Sequence, residues 1–322
     1  MTMRVAVLGA GLMGHALALV FALGGHRVRL TDNNPATLEK AGALMERALA
    51  TLREAGEADA AWTDERLRTA VTRAGAMADT VADAELIVEA VYESPEVKRA
   101  IYAEVDALAP MDAIIASNTS RLDIFPLVPE RRRMRTLIAH WYTPPYLVDL
   151  CDVVGSERTD PAAVETVRSV VAAMGKVPVV MKRYIPGYIA NRIQAAMIME
   201  VHRLLDEGYA TPRDIDDAVI HGLALRMPIL GMIAKADFTG LRLLQTELAN
   251  RSYEPPPVRT SSSTLERLLA EGRTGVDVGK GYFDWGGRSE EELMGERDRK
   301  LLALKRALRA IGPMSGYKRD ET

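Results

Sequence analysis

Apolar positions along the chain follow two regimes. In the first half they form short, nearly continuous runs at Arg4 to Leu8, Val28 to Thr31, Glu85 to Val91, Ala113 to Ser117, Thr136 to Ala139 and Leu147 to Val154. Runs of this length, separated by segments long enough for crossover helices, predict a βαβ series. Strands apolar on both faces predict a parallel sheet covered by helices, and the doubly wound arrangement is its commonest form. Between the first two runs lie a glycine turn, Gly9 to Gly14, and a helical stretch, His15 to Leu23, ended by Gly24 and Gly25.

After Val177 to Val180 the regime changes, with Met181 to Ile185 as a connector. Apolar residues then recur at helical spacing, at Ile189, Ile193, Met197, Val201 and Leu204, in a helix expected to carry Pro186 in its first turn and to stop near Gly208. Thr211 with Asp214, Ser263 with Glu266, and Ser289 with Glu292 have capping-box spacing, and Pro255 to Pro257 interrupts the series. The stretch from Ser289 to Ile311 reads as a solvated amphipathic helix. Gly275 to Gly281 lacks the Ser or Thr of a phosphate loop and reads as a turn. The expected architecture is α/β: a doubly wound domain over residues 1–184, then a mainly α-helical domain over residues 185–322.

Composition narrows the function. The chain has 322 residues, 48% of them apolar and 26% charged, which suits two domains with cores of their own. Its 41 Lys and Arg against 44 Asp and Glu leave a net charge of −3, without the basic footprint that nucleic acid requires. A single cysteine, Cys151, allows no intrachain disulfide and no multi-cysteine metal site, which suits a reducing cytoplasm. His15, His26, His202 and His221 form no zinc-binding His-Glu-x-x-His run and read as surface or packing residues, so no metal is expected. The apolar stretch from Val5 to Gly25 could pass for a signal or membrane anchor. Its five spaced glycines, the missing Ala-x-Ala site and the strand that follows argue against a membrane role.

Gly9-Ala10-Gly11-Leu12-Met13-Gly14 matches Gly-x-Gly-x-x-Gly between a strand and a helix, and Asp32 ends the next strand 18 residues beyond Gly14. This is the Rossmann-type dinucleotide fingerprint. The first glycine permits the tight turn, the second lets the backbone approach a pyrophosphate, and the third allows close packing of the helix, whose N-terminus favours phosphate. Asp32 can accept ribose hydroxyls and would repel a 2′-phosphate, so NAD is expected rather than NADP.

His140 stands at the C-terminal end of a strand, where ligands of open α/β sheets bind. Around it gather Ser117-Asn118-Thr119-Ser120 after one strand, His140-Trp141-Tyr142-Thr143-Pro144-Pro145 after the next, and Asp152 on the strand beyond. Together with Pro186-Gly187-Tyr188-Ile189-Ala190-Asn191-Arg192, these runs resemble the 3-hydroxyacyl-CoA dehydrogenase family, and the resemblance extends over nearly the whole chain in the family's order. Glu89-Ala90-Val91, Glu93 and Lys98 are similar to the family's nicotinamide-side segment.

The resemblance implies an NAD-dependent oxidoreductase that interconverts an (S)-3-hydroxyacyl group and its 3-oxoacyl counterpart. Its catalytic residues would be His140 as the base, Asp152 on the other ring nitrogen, and Ser120 and Asn191 as donors to the reacting oxygen. Such a base makes sense, because a secondary alcohol releases its electron pair only as its hydroxyl proton leaves. The cofactor would lie against Gly9, Gly11, Leu12, Met13, Gly14, Asp32, Ala90, Glu93, Lys98, Asn118 and Thr143, and the helical domain would pair two copies as a homodimer.

Departures from the family bear on the substrate. Asp152 stands where Glu is usual, which withdraws the carboxylate by about 1.5 Å. Asp149 is the reserve acid, on the opposite face of the strand. Thr143 replaces Asn, Trp141 and Tyr142 replace two phenylalanines, and Gly231-Met232-Ile233 replaces a Gly-Pro segment. Thr51 to Trp62, which often carries lysines for coenzyme A, offers Arg53 against Glu54, Glu57 and Asp59, with Arg66, Arg68 and Arg73 just beyond. Pro144-Pro145-Tyr146 is similar to branches that oxidise free hydroxy acids, the gulonate dehydrogenase and λ-crystallin group and the carnitine dehydrogenases. The small-molecule substrate is therefore either a 3-hydroxyacyl-CoA or a free hydroxy acid such as gulonate, carnitine or 3-hydroxybutyrate. A third reading, a nucleotide-binding or structural protein without catalysis, draws on Asp152 alone.

Overall fold

The apolar runs of the first half all become strands: β1 (Arg4–Leu8), β2 (Arg27–Thr31), β3 (Val71–Arg73), β4 (Leu86–Glu89), β5 (Ile114–Ser117), β6 (Thr136–Trp141), β7 (Leu150–Val154) and β8 (Val177–Met181). Only β3, three residues long with Val71 alone buried, had no apolar run to announce it. The computed structural model describes residues 2–250, 254–312 and 314, and it divides into two units, Met1–Tyr188 and Ile189–Thr322.

The strands form one sheet in the order β3-β2-β1-β4-β5-β6-β7-β8. The order reverses between β1 and β4, which is the switch point of a doubly wound sheet and the place where a crevice opens at the strand ends. The sheet is not wholly parallel as the apolar runs suggested, because β7 runs antiparallel to β6. Residues 142–149 that join them are too few for a crossover, which takes a dozen or more, so the chain must turn back on itself.

In the first unit the helices are α1 (Gly14–Leu23), α2 (Pro35–Glu54), α3 (Asp64–Ala70), α4 (Met77–Val81), α5 (Pro95–Leu108) and α6 (Pro161–Ala173). Three of them share one start: a polar cap followed by proline at the first helical position. The caps are Asn34, Ser94 and Asp160, which accept from the N–H of Ala36, Val97 and Ala162. α1 is buried from Gly14 to Ala22. The apolar stretch that could pass for an anchor is thus a ten-residue core helix, and no single helix among the described residues is long and apolar enough to cross a membrane. One core cluster joins Leu8, Ile87, Ile115, Ile138 and Val154 of the sheet to Tyr102 of α5 and to Tyr188.

The second unit comprises α7 (Ala190–Asp206), α8 (Pro212–Asp217), α9 (Met227–Thr239), α10 (Leu241–Asn250), α11 (Ser263–Ala270) and α12 (Glu290–Ile311). Two expectations are corrected here. Pro186 precedes α7 rather than opening it, because Gly187 and Tyr188 have φ of 82° and 49°, a left-handed turn no α-helix can contain. The cap of α11 is Ser262 and not Ser263: the Ser262 hydroxyl accepts from Leu265 N–H and donates to Asp206 at 2.8 Å. The capping boxes at Thr211 and Ser289 form with Asp214 and Glu292, and residues 275–281 are a turn around a short 3-10 segment.

Arg132, wholly buried, leads into β6 and closes the end of α5. Its guanidinium donates to Asp106 Oδ1 at 3.0 Å and to the carbonyls of Val105, Asp106, Ala109 and Pro110. Val105 and Pro110 also accept from the N–H groups of Ala109 and Ala113, so the guanidinium adds to backbone bonds already made at this helix end. Arg132→Ala should lower unfolding stability by about 1–3 kcal/mol, since it removes the donor to the Ala109 carbonyl and leaves Asp106 to Arg131 alone. Denaturant melts of the two proteins check this, and a loss within about 0.5 kcal/mol would refute it.

Candidate active site

The glycine turn is determined by steric fit. Gly9 has φ of 93°, and a Cβ there would lie 2.6 Å from the Ala90 carbonyl oxygen; a Cβ on Gly14 would lie 1.7 Å from the Gly9 carbonyl oxygen. Both approaches exclude any side chain. Gly11 differs, because a Cβ there would meet nothing within 4 Å and would point into open space. That space is a cavity of about 660 Å³ bounded by Gly9, Gly11, Leu12, Met13, Asp32 and Ala90. The Asp32 carboxylate accepts from Ala10 N–H at 2.7 Å and from Asn34 N–H at 2.8 Å. Each oxygen has one such bond and keeps a lone pair for a ribose hydroxyl. The residues present therefore fit NAD: a bare backbone at Gly11, a helix N-terminus behind it and an acid at the end of β2.

His15, read from the sequence as a packing residue, also secures this turn. Its Nδ1–H donates to the Gly11 carbonyl at 2.7 Å. Burial holds the ring below the ordinary histidine range, against the opposite pull of that bond, so the imidazole is neutral at physiological pH.

His140 and Asp152 are cross-strand neighbours in the β6–β7 register. His140 is 3% exposed and Asp152 fully buried. Nδ1 lies 3.3 Å from Asp152 Oδ2, so the tautomer that satisfies the carboxylate carries its proton on Nδ1 and leaves a lone pair on Nε2. The ring is held between two others: Tyr188 stacks on it at 4.5 Å between centroids and 29°, and Tyr142 meets it edge-on at 4.6 Å and 71°. The Tyr142 hydroxyl donates to Asp152 Oδ2 at 2.7 Å, and Oδ1 is buried without a partner. The Tyr188 hydroxyl donates to the Thr119 carbonyl. Burial, then the nearby Tyr184 and Glu93, push its phenol far up, so it keeps its proton. The reserve acid Asp149 is engaged elsewhere, with Lys176 Nζ at 3.0 Å.

The loop after β5 is held from below by acids. Glu89, at the end of β4 and fully buried, accepts from Lys98 Nζ at 2.6 Å, the Tyr102 hydroxyl at 2.7 Å and the Ser117 hydroxyl at 2.6 Å. Burial and the Glu89 charge push the Tyr102 phenol well up, so it remains a donor. Glu93 accepts from the Thr119 hydroxyl and Ser120 N–H, both at 2.8 Å, from Arg121 N–H at 3.0 Å, and pairs with Lys98 at 3.2 Å. Burial acts to raise the Glu93 carboxyl, but these bonds and the Lys98 charge outweigh it and hold it below the usual range. Asn118 Oδ1 accepts from Trp141 N–H at 2.8 Å, tying this loop to the strand of His140. The Thr143 hydroxyl donates to Met13 Sδ at 3.1 Å, tying that strand in turn to the glycine turn.

The first unit thus joins His140, Asp152, Ser120, Asn118, Thr143, Glu93, Lys98, Ala90 and the glycine turn at one end of the sheet. Asn191 stands in the first turn of α7 in the second unit. No group of three His, Cys, Asp or Glu able to hold a metal occurs among the described residues. Sequence reasoning named Glu89 and Tyr188 only within runs of family resemblance and read His15 as a surface or packing residue, so none of the three had a stated role. Glu89 offered one signal, a charged residue closing an otherwise apolar strand.

A dinucleotide cradle and an imidazole backed by a carboxylate, set at the same end of a doubly wound sheet, define an NAD-dependent dehydrogenase of CH–OH groups. Residues 4–184 match the family model for the 3-hydroxyacyl-CoA dehydrogenase NAD-binding domain, and residues 187–285 match that for its C-terminal domain. The chain belongs to the 3-hydroxyacyl-CoA dehydrogenase family. It is 30% identical to the 5-formyl-3-hydroxy-2-methylpyridine 4-carboxylate 5-dehydrogenase of Mesorhizobium japonicum, over 96% of this chain and 99% of that one. It is 33% identical to the L-carnitine dehydrogenase of Streptomyces coelicolor, over 96% of each. Among solved structures it is similar to a 5-formyl-3-hydroxy-2-methylpyridine 4-carboxylic acid 5-dehydrogenase described as an NAD+-dependent dismutase, with a TM-score of 0.85, 28% identity and coverage of 96% and 99%.

Two alanine substitutions separate fold from binding at the cradle. Gly11→Ala should leave the melting temperature unchanged and weaken NADH binding at least about 10-fold, because its methyl enters only the crevice. Gly14→Ala should lower both, because its methyl collides with the backbone of Gly9. Fluorescence titration with NADH alongside thermal melts tests the pair, and full affinity in Gly11→Ala would place the pyrophosphate elsewhere.

Proposed function

We propose that the chain oxidises the 3-hydroxyl of a small free hydroxy acid and reduces the corresponding 3-oxo acid, with His140 as the acid–base group. The observation that carries this reading is the 3.3 Å approach of His140 Nδ1 to the buried Asp152 carboxylate. It directs Nε2 outward as the free base and compensates the charge the ring acquires. In oxidation, Nε2 takes the proton of the substrate hydroxyl as the C–O bond gains double-bond character, and in reduction it returns that proton. NAD supplies the two-electron acceptor. The Ser120 hydroxyl, on a loop held by Glu93, and the Asn191 amide are assigned as donors to the oxygen as its charge develops. Lys98 and Glu93 are assigned to the nicotinamide side, beside Ala90, Asn118 and Thr143. The approach of Asp152 to the ring also removes the one feature that pointed to lost catalysis.

A free acid is favoured over a coenzyme A thioester by the state of the arginines. Arg53 donates to the Trp62 carbonyl and to Asp64, Arg66 lies 4.3 Å over the Trp62 ring, Arg68 pairs with Glu46 at 2.6 Å, and Arg73 donates to the Glu39 carbonyl. Coenzyme A would need several free cations for its phosphates. The names of the two full-length relatives, a carnitine and a pyridine-carboxylate dehydrogenase, support the same class. Steady-state assays under NADH should show turnover of free 3-oxo acids with no gain from acetoacetyl-CoA, and His140→Ala should lose about 10²–10⁴-fold in kcat/KM while binding NADH normally. Preference for the thioester would reverse the substrate assignment, and a fully active His140→Ala would end the mechanism.

We infer further that two copies pair through the second unit. α7 has no buried residue, and Ile193, Ile198, Ile220, Leu225, Ile233 and Phe238 are all exposed. So many apolar side chains on one helical unit exceed what a solvated surface carries. Sedimentation equilibrium should give twice the 35.3 kDa chain mass, and a monomer at all micromolar concentrations would contradict the pairing.

A further inference from the structure

The Asp152 carboxylate does not serve His140 alone. Its Oδ2 accepts two hydrogen bonds, a short one of 2.7 Å from the Tyr142 hydroxyl and a long one of 3.3 Å from His140 Nδ1, while Oδ1 is buried with no partner. The phenol therefore holds the acid more closely than the imidazole does. We propose that Tyr142 is a positioning residue of the reaction: its hydroxyl fixes the Asp152 carboxylate, and with it the hydrogen bond that orients the His140 ring. The proposal rests on the reading of His140 as the acid–base group, and it assigns Tyr142 no contact with substrate or cofactor.

An aspartate whose Oδ1 makes no bond can turn about its last torsion at little cost, and turning would carry Oδ2 away from the imidazole. The Tyr142 bond blocks that rotation, because any turn that moves Oδ2 also breaks a 2.7 Å bond to a charged acceptor. The phenol keeps its own proton throughout and transfers none.

The other groups packed near the ring each keep one charge state across neutral pH. Tyr188, stacked on the ring, and Cys151, beside Asp152 on β7, are both pushed up by burial and stay neutral. Glu93, also near Tyr188, is held below the usual carboxyl range and stays charged across neutral pH. Tyr184 packs edge-on to Tyr188 at 6.3 Å, and burial pushes its phenol up as well.

Tyr142→Phe tests the hydroxyl by itself, since it keeps the ring that packs on His140. The primary readout is the His140 Nδ1 proton resonance by NMR in the full chain, assigned by its absence in His140→Asn, which requires no turnover. Tyr142→Phe should shift or broaden that resonance and lower kcat by about 10-fold or more, leaving NADH affinity unchanged. In an Asp152→Asn background Tyr142→Phe should add no further change to either readout. An unmoved resonance in Tyr142→Phe overturns the proposal, as does an equal change with and without the Asp152 carboxylate. A shifted resonance in a protein that turns over no hydroxy acid would sink the proposed function and leave this assignment standing; turnover with an unmoved resonance would do the reverse.

Discussion

One antiparallel pairing in an otherwise parallel sheet carries the chemistry proposed for this protein. It sets His140 of β6 directly opposite Asp152 of β7. Cross-strand neighbours have Cβ atoms about 4.5–5.5 Å apart, so the backbone itself delivers the acid to the ring. That is why a carboxylate one methylene shorter than the family's usual glutamate still reaches the imidazole. Had β7 been parallel to β6, with a helix between them, the residue twelve positions after His140 would lie within the crossover and far from the ring.

Around this pair the first unit places a buried polar network whose members are all matched. Glu89 would be costly alone in the core, but Lys98, Tyr102 and Ser117 satisfy it, and Lys98 passes the connection to Glu93 beneath the Ser120 loop. Networks of this kind contribute little net stability against an apolar replacement, yet they penalise every alternative arrangement in which one member loses its partner. The consequence for function is a loop with Thr119, Ser120 and Arg121 held to one carboxylate oxygen of Glu93, rather than a flexible connector. The Oδ1 of Asp152, with Trp141 Nε1 and His26 Nε2, is left out of this matching, and it sits beside the ring assigned as the acid–base group.

The substrate side follows a different logic. The cradle for the dinucleotide is made by the absence of side chains, at Gly9, Gly11 and Gly14, whereas the proposed preference for a free acid over a thioester rests on cations already committed elsewhere. Arg53, Arg66, Arg68 and Arg73 each have a local partner, so their count along the chain overstates the charge available to a polyphosphate.

Much was legible in the order of residues alone. The alternation of short apolar runs and glycine turns is local information, read through strand period and backbone sterics, and it marked seven strands, the dinucleotide turn, Asp32 and the capping boxes at Thr211 and Ser289. The resemblance of His140 and its neighbouring runs to a known family marked the chemistry. The tertiary structure alone decided the direction of β7, the three-residue β3, the turn at Gly187 and Tyr188, the cap at Ser262, the bond of Tyr142 to Asp152, and the partners of Glu89 and His15. Each of these depends on which distant segment lies alongside, and a one-dimensional pattern records what a residue prefers but not what it meets. Tyr142 shows the difference most plainly: in the sequence it is an aromatic residue in place of another, and only the folded chain sets its hydroxyl against the acid ten positions away.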